Sequence, residues 1–314
     1  DQPRSRGLGD VYKRQVPIRR HEDVLLRRIY DRMPLKLDKI QFENPFHKTF
    51  VLLQAHFSRL TLPADLAQDQ RDILNRVLTL LNACVDVMSS GAMLNAIVAM
   101  EISHMCVQAV WDRDSPLRQV PHFTAATIQR CQARGIHDVY ALADVLPDMS
   151  QHERDELLQL NKRQLADVAT LTNEFPYVDI EFDILDKEKL DSASTIILQA
   201  KLERDVDEEE EEPSDPTAIA PFYPSPKMTA WWLVIGDPGT NSLLSIKRVT
   251  IAKTLDVRLE FMLPAGMHDK LKLYLMCDSY IGADRELEVP ALHVAQGEED
   301  EELDDEDNIE MPDA

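Results

Sequence analysis

The sequence predicts an α+β protein of several domains, in which two helical regions precede a β-sandwich. Two observations carry this prediction. Apolar residues recur at helical spacing over roughly the first half of the 314-residue chain. After Pro176 the period of the pattern changes to two, which is typical of strands with one buried face.

The first helical region, residues 16–118, is predicted to be a helical bundle. Its clearest helix covers about 64–88 and ends near Gly91, a plausible C-terminal cap. The segment 94–111 is apolar on most of its circumference, as expected of a helix in the middle of a bundle. The apolar stripe of the first of these helices is predicted to consist of Ile73, Val77, Leu80, Leu81, Cys84, Val87 and Met88.

The second helical region, residues 119–176, is predicted to be a helix-loop-helix domain. Thr124 can cap a helix that ends at Gly135, and Ser150 with Glu153 forms a capping box for a later one. A last helix starts near Asn161 and is stopped by Pro176. Short helices with short connections favour a compact array of helices.

The third region, residues 177–295, is predicted to be the sandwich. From Val178 to Ile184 apolar side chains alternate with carboxylates, and the residues from Gly236 to Gly239 form a hairpin turn. About seven short strands in roughly 115 residues favour an immunoglobulin-like or fibronectin-like fold. Further strands are predicted at 195–202, 230–236, 243–251, 257–263, 271–277 and 286–294.

The formal charge of −22 is concentrated in two acidic runs. Residues 205–212 hold seven acidic side chains and residues 298–310 hold ten, so the rest of the chain is near −5. Such runs are typical of solvated, disordered segments, and we expect an acidic loop at 205–216 and a disordered acidic tail at 296–314. The first helices are locally basic, through Arg19, Arg20, Arg27, Arg28, Arg32, Lys36, Lys39 and Lys48.

Residues 1–15 are expected to be an artefactual or disordered leader, because the run LGDVYKRQ resembles translated sequencing-adapter read-through. They lack the apolar core of a secretory signal. No apolar stretch reaches the roughly 18 residues of a membrane span, so no membrane partner is expected. The four cysteines are far apart, which favours a reducing compartment.

No motif for catalysis is evident. The segment 236–242 lacks the lysine of a phosphate-binding loop and does not lead into a helix. The nine histidines do not pair at ligand spacing with a second His or Cys. We therefore predict no catalytic residue, no metal site and no cofactor in this chain, and a role in binding rather than in chemistry.

Two features are candidates for binding. Arg130 and Arg134 lie on a predicted short helix and suit phosphate groups, although solvent-facing arginines of a packing module remain the alternative. Trp231 and Trp232 are adjacent on a strand and must face opposite sides of the sheet. One should be in the core, and the other is exposed for a partner or covered by a neighbouring domain.

Several segments resemble a known family. They are VPIRRHEDVLLRRI (16–29), KTFVLLQAHFSRL (48–60), VPHFTAATIQRCQARGI (120–136), WWLVIGDPGTNSLLSIKRVTI (231–251) and DSYIGADRELEV (278–289). The sequence is similar, over about 16–294, to the last Sec sixty-three homology unit of the spliceosomal U-five snRNP RNA helicases. That family joins a helical bundle, a helix-loop-helix and an immunoglobulin-like domain.

The resemblance implies a regulatory and protein-interaction module at the C-terminus of a helicase that unwinds the U-four/U-six duplex in pre-mRNA splicing. It implies nuclear localisation, other spliceosomal proteins and the preceding helicase cassette as partners, and a bundle truncated at its N-terminal side. ATP and Mg belong to motor domains outside this chain. The helix at about 69–90 would occupy the place of the family's strand-contacting helix, with Arg76, Thr79 and Asn82 away from the apolar stripe.

Two alternatives stay open. The basic helices at 19–39 with Arg130 and Arg134 also suit a single-stranded nucleic-acid clamp with weak RNA contact. The endoplasmic-reticulum translocation subunit that gives the homology unit its name also ends in an acidic tail, and it would carry membrane spans and a J-domain upstream. The surface that binds a partner, the oligomeric state and the role of the acidic segments do not follow from the sequence.

Overall fold

A computed structural model describes residues 18–205 and 217–297. The expected leader, most of the acidic loop and nearly all of the acidic tail lie outside the described residues. Helices come first along the chain and strands follow, which makes the protein α+β. The α-helices are α1 (Glu22–Tyr30), α2 (Pro45–Phe57), α3 (Ala64–Ser90), α4 (Ala96–Gln108), α5 (Ala125–Ala133), α6 (Val139–Val145), α7 (Gln151–Leu158) and α8 (Lys162–Glu174).

The helix boundaries follow from the capping residues that the sequence supplies. The hydroxyl of Thr124 accepts from the Thr127 amide at the start of α5. Ser150 and Glu153 form a reciprocal capping box at α7, and Asn161 forms another at α8. Gly91 is the C-cap of α3. The predicted caps at Gly91, Thr124 and Ser150 are confirmed, because each depends only on residues within one turn. At Asn161 the sequence predicts only the start of a helix, and α8 does begin there.

The strands form two antiparallel sheets and a small ribbon. One sheet has the order β1-β2-β5, the other β4-β3-β7-β8, and β6 pairs with β9. The strands are β1 (Val178–Ile184), β2 (Ile196–Arg204), β3 (Trp231–Asp237), β4 (Ser242–Val249), β5 (Thr254–Phe261), β6 (Gly266–His268), β7 (Lys272–Cys277), β8 (Arg285–Glu288) and β9 (Leu292–Val294).

The last predicted strand, 286–294, is wrong as a single element. It is divided into β8 and β9, which belong to different sheets. Pro290 lies between them and has no amide hydrogen to donate to a ladder. The partner of β9 is β6, a three-residue strand whose pattern is too short to be recognised in the sequence.

The two larger sheets enclose one apolar core. Inward side chains of both, such as Leu198, Leu259, Leu233 and Leu273, belong to a single buried cluster. The same cluster continues into α5–α8 through residues such as Leu171. The apolar core therefore extends across the predicted boundary at residue 176.

The long helix α3 does not bury the whole stripe that the sequence predicts. Ile73 and Val85 are buried, whereas Leu80 is 65% exposed, Val87 is 71% exposed and Cys84 is exposed. α3 packs mainly on α4 and also on α2 and β4, so only part of its apolar surface is covered. Periodicity alone cannot tell which apolar side finds a neighbour.

The helical hairpin α3–α4 is fixed to the sheet β4-β3-β7-β8. The connection at 91–95 pairs with the β3–β4 turn, since Leu94 N donates to Asn241 O at 3.1 Å and Leu243 N donates to Ala92 O at 2.9 Å. Gly236 makes this approach possible, because a Cβ there would lie 2.6 Å from Leu94 Cδ1. The turn that the sequence predicts at 236–239 is thus also a docking point for the helices.

The segment 217–230, called the strap below, joins the sheets to the helices from the other side. The hydroxyl of Tyr223 donates to Leu74 O at 3.0 Å, and the Ser225 hydroxyl is 2.7 Å from Asn75 Oδ1. The amide of Ile219 donates to the Tyr280 hydroxyl at 2.8 Å. The strap therefore connects α3 to the sheets and lies where the helices and the sheets meet.

Candidate partner-binding surfaces

The outward face of α3 carries the three residues that the sequence predicts there. Arg76, Thr79 and Asn82 are exposed and lie at successive spacings of three. Since a helix has 3.6 residues per turn, this spacing spreads them round the exposed side rather than along one line. They can contact a broad surface but do not converge on one atom of a ligand.

Asn82 also lines a groove of about 350 Å³ between α3 and the sheet. Trp232, Ile246 and Arg248 form the sheet side of this groove, and Asp86 and Ser89 lie on the helix side. The Arg248 guanidinium carbon lies 3.8 Å from the centroid of the Trp232 ring, a cation–π geometry. Two residues of the sequence prediction, Asn82 and Trp232, are thereby brought to one place.

The two adjacent tryptophans face opposite sides of β3, as the strand pattern requires. Trp231 belongs to the core between the sheets, and Trp232 belongs to the cluster between the sheet and α3–α4. Both are buried, with exposed fractions of 2% and 4%. The second tryptophan is thus covered by this chain's own helices, and only the rim of its ring reaches the groove.

The charge of Arg248 is balanced by a buried carboxylate. Asp278 is 2% exposed and accepts from Arg248 at 2.5 Å and from Lys227 of the strap at 2.6 Å. It also accepts from the amide of Ala230 and the hydroxyl of Ser279. A buried carboxylate is stable only when donors surround it. The bond to Asp278 therefore holds the Arg248 guanidinium over Trp232.

Arg130 and Arg134 have different partners in the structure. The Arg130 Nε donates to Leu157 O at 2.7 Å, and its Nη2 lies 3.3 Å from Leu158 O. Arg130 therefore satisfies carbonyls at the end of α7. Arg134 is exposed and pairs with Glu156 at 3.2 Å. Of the two, Arg134 is the one whose guanidinium stands at the surface.

The buried titratable groups have hydrogen-bond partners and little contact with solvent. Burial lowers the pKa of His104 to about 4, and its Nδ1 is 3.3 Å from Cys277 O. Burial likewise raises the pKa of the Cys277 thiol well above its ordinary value. His56 is 2.7 Å from Cys106 O, and its pKa is lowered to about 4 for the same reason. These groups have the environment of core residues.

Two features are lacking in the described parts of the chain. No group of three or more His, Cys, Asp or Glu side chains there is arranged to hold a metal ion. Among the described helices, none is both long enough and apolar enough to span a membrane.

The profile of the Sec63 Brl domain family matches residues 14–290 of the chain. The chain belongs to the Sec63 Brl domain family. The two larger sheets, the α3–α4 hairpin and the strap described above lie within the matched residues, whereas β9 follows them. All seven predicted binding residues are also within the match.

Curated relatives of this Sec63 Brl domain are long proteins. The chain is 45% identical over 275 residues, 87% of its length, to the pre-mRNA-splicing factor brr2 of Schizosaccharomyces pombe. It is 41% identical over 290 residues, 92% of its length, to the human U5 small nuclear ribonucleoprotein 200 kDa helicase. The match covers 12% of the yeast protein and 13% of the human one, so the chain spans about one eighth of these relatives.

A relative with a different name is matched over a similar length. The activating signal cointegrator 1 complex subunit 3-like protein of Dictyostelium discoideum is 38% identical over 297 residues, which are 91% of this chain and 13% of that protein. The Sec63 Brl domain family thus includes proteins named for splicing and for other complexes.

The buried charged network around Lys48 in this Sec63 Brl domain is not predicted by the sequence. Lys48 is fully buried and bonds to both Glu22 and Asp69 at 2.7 Å, while Arg19 pairs with the same two carboxylates. Each of these residues looks like an ordinary surface charge in its own helix. Only the packing of α1, α2 and α3 brings them together, and no local pattern signals it.

Proposed function

We propose that this chain is a non-catalytic regulatory and protein-interaction module of a spliceosomal RNA helicase. The observation that carries the proposal is 41–45% identity over most of the chain to proteins named as a splicing factor and a U5 ribonucleoprotein helicase. The exposed α3 face and the groove at Trp232 supply surfaces for a partner. The buried titratable groups, in contrast, are turned into the core.

The proposal includes the division into three domains and the type of sandwich. We assign residues 16–118 to a helical bundle, 119–176 to a helix-loop-helix and 177–295 to an immunoglobulin-like sandwich. The sheet orders β1-β2-β5 and β4-β3-β7-β8 support this type, since immunoglobulin-like folds pair the first, second and fifth strands in one sheet and the third with the last strands in the other.

The whole protein, on this proposal, is a nuclear helicase that unwinds the U-four/U-six duplex with ATP and Mg bound in motor domains outside this chain. Its C-terminal unit then contacts other spliceosomal proteins and the preceding helicase cassette. Arg76, Thr79, Asn82, Arg134 and the Trp232 groove are the proposed contact residues, and Arg130 and Trp231 support them from within.

The test is competition in a splicing-competent nuclear extract. An excess of the purified chain should occupy the partner surfaces of the endogenous helicase and reduce splicing of a reporter pre-mRNA severalfold. The double variant Thr79→Arg, Asn82→Arg should lose most of this inhibition because two large cations obstruct the α3 face. The double variant Gln151→Arg, His152→Arg, an equal change at two exposed positions of α7, is the control and should inhibit like the parent chain.

Two results would refute the proposal. Hydrolysis of ATP by the purified chain would show that it is catalytic. Splicing unaffected by a large excess of the folded chain would show that its surfaces are not those of the helicase.

A single-stranded nucleic-acid clamp is the second candidate function. The exposed cations of the first helical segment favour it, namely Arg20, Arg27, Arg28, Arg32, Lys36 and Lys39. Binding of a single-stranded RNA should then weaken steeply as salt rises, because each phosphate contact releases counterions. Absence of binding to a twenty-nucleotide RNA at low salt would remove this candidate.

A further inference from the structure

A second groove, called the junction groove below, lies where the bundle, the helix-loop-helix region and the strap meet. Its volume is about 620 Å³. Val120 and Phe123 line it together with Ile219 and Phe222 of the strap, and the charged residues Arg59 and Asp167 also line it. It shares no lining residue with the groove at Trp232.

The walls of the junction groove are mostly apolar and partly open to solvent. Phe222 is 45% exposed although it is a large aromatic residue on a short strap. Ligand grooves with such walls and a few polar groups occur preferentially where domains meet. An exposed aromatic wall of this kind is suited to a bulky apolar side chain.

Arg59 gives the groove a cation that is only partly satisfied. Its Nε donates to Ala109 O at 3.0 Å and its Nη2 to Gln108 O at 2.9 Å, which fixes the guanidinium 4.0 Å from the centroid of Phe222. These bonds use two of the five N–H groups of a guanidinium, and both acceptors are neutral. Burial and the nearby Arg118 lower the pKa of Arg59 to about 10, because the charge lies in a poorly solvated place.

The carboxylates near the groove are committed elsewhere. Asp114 pairs with Arg118 at 2.8 Å, and Asp167 lies 2.7 Å from His122 Nε2. Neither of these contacts includes Arg59. A carboxylate supplied from outside would therefore gain a charge-assisted hydrogen bond that the described residues do not provide.

We propose that the junction groove binds an extended peptide segment of a partner protein, with a bulky apolar side chain between Phe123 and Phe222 and a carboxylate beside Arg59. The assignment rests on the proposed interaction role and names the chemistry of one partner. A peptide suits the site because the groove is partly open to solvent at Phe222 and one side chain occupies only part of its volume. The acidic character follows from the charge of Arg59.

The experiment measures binding of labelled peptides to the 314-residue chain by fluorescence anisotropy. The probe is a twelve-residue peptide with Phe-Pro at its centre and Glu on both sides. One counterpart has Lys in place of Glu, and another has Ser in place of Phe. We expect a Kd on the order of 10–100 μM for the acidic probe, at least tenfold tighter than for either counterpart.

Two variants locate the binding site. Phe222→Ser removes a wall, and Thr170→Trp fills the groove from α8, so each should weaken binding of the acidic probe about tenfold, or by about 1.4 kcal/mol. Phe46→Ser is the control for the first, since Phe46 is 72% exposed on α2 and outside the groove. Ala169→Trp, an exposed neighbour that does not line the groove, is the control for the second. Thermal melts identify any variant that fails to fold.

Several outcomes would overturn the proposal. One is no binding of the acidic probe up to millimolar concentration, and another is equal binding of the Lys counterpart. Controls that weaken binding as much as the groove variants would place the peptide elsewhere. A tenfold gain in affinity on deletion of residues 206–216 would show that the chain's own acidic segment occupies the groove. None of these results bears on the splicing competition, which tests the interaction role separately.

Discussion

Lys48 shows at the scale of one residue how a charged side chain becomes part of a core. Its ammonium is fully buried between the carboxylates of Glu22 and Asp69. Desolvation raises the pKa of both carboxyl groups, but the hydrogen bonds from Lys48 and Arg19 outweigh it and leave each pKa below its ordinary value. The network therefore holds α1, α2 and α3 together only while every member is present.

Replacing Lys48 should lower the free energy of unfolding of the chain. Lys48→Met leaves two carboxylates buried with Arg19 as their one remaining charged partner among those the structure shows, and we expect a loss of about 3–5 kcal/mol in the free energy of unfolding. Lys201→Met removes an exposed ion pair with Glu203. This variant should change the free energy of unfolding by less than about 1 kcal/mol. Urea denaturation measures both. Equal, small losses in the two variants would show that the buried network contributes little.

The junction between the α3–α4 hairpin and the β3–β4 hairpin decides the arrangement of whole elements. It depends on Gly236, where a Cβ would meet Leu94 Cδ1 at 2.6 Å and Ser242 O at 2.7 Å. Gly236→Ala should therefore cost about 1–3 kcal/mol, as overpacking in a core does. At Gly91 the nearest atoms to a Cβ are 3.5 Å away and φ is −84°, so Gly91→Ala should be close to neutral. Thermal melting of the two variants measures this difference. Equal melting temperatures would contradict the prediction.

At the scale of the whole molecule, His104 of α4 lies next to Asp284 of the β7–β8 connection. The two side chains change the free energy of unfolding in opposite directions as pH rises. Burial lowers the pKa of His104 to about 4 and raises that of Asp284 to about 7, and the two side chains are 3.6 Å apart. Between pH 4 and 6.5 the unfolded chain binds the extra proton at His104, so this histidine makes stability rise with pH. Between pH 3.8 and 7 the folded chain binds the extra proton at Asp284, so this aspartate makes stability fall as pH rises.

Replacing Asp284 with a residue that does not titrate should reveal the contribution of His104 to the pH dependence of the free energy of unfolding. Asp284→Asn keeps an oxygen that can accept from the Cys277 amide, which now donates to Asp284 Oδ1 at 2.6 Å. The variant should match the parent chain near pH 4 and exceed its free energy of unfolding by on the order of 1–2 kcal/mol at pH 8, since it avoids a charged carboxylate in a largely buried place. Urea titrations at several pH values measure the difference. A difference independent of pH would show that Asp284 does not titrate in this range.

Local chemistry explains what the sequence could predict about the fold. The alternation from Val178 to Ile184, the capping box at Ser150, the helix start near Asn161 and the opposite orientations of Trp231 and Trp232 all depend on residues within one turn or one strand. The exposure of Arg76, Thr79 and Asn82 is predicted in the same way, because the helical repeat places them away from the apolar stripe of α3. Their role in binding stays a prediction.

What the sequence by itself determined is therefore the α+β class, the order of helices before strands and the family of the chain. The tertiary structure alone decided that Leu80 and Val87 are exposed, that Lys48 is buried, that Trp232 is covered by α3–α4 and that Arg59 and Phe222 form one groove. The physical reason is that burial and pairing depend on contacts between residues 21 or more positions apart in the chain. Such contacts leave no repeated pattern within a single element.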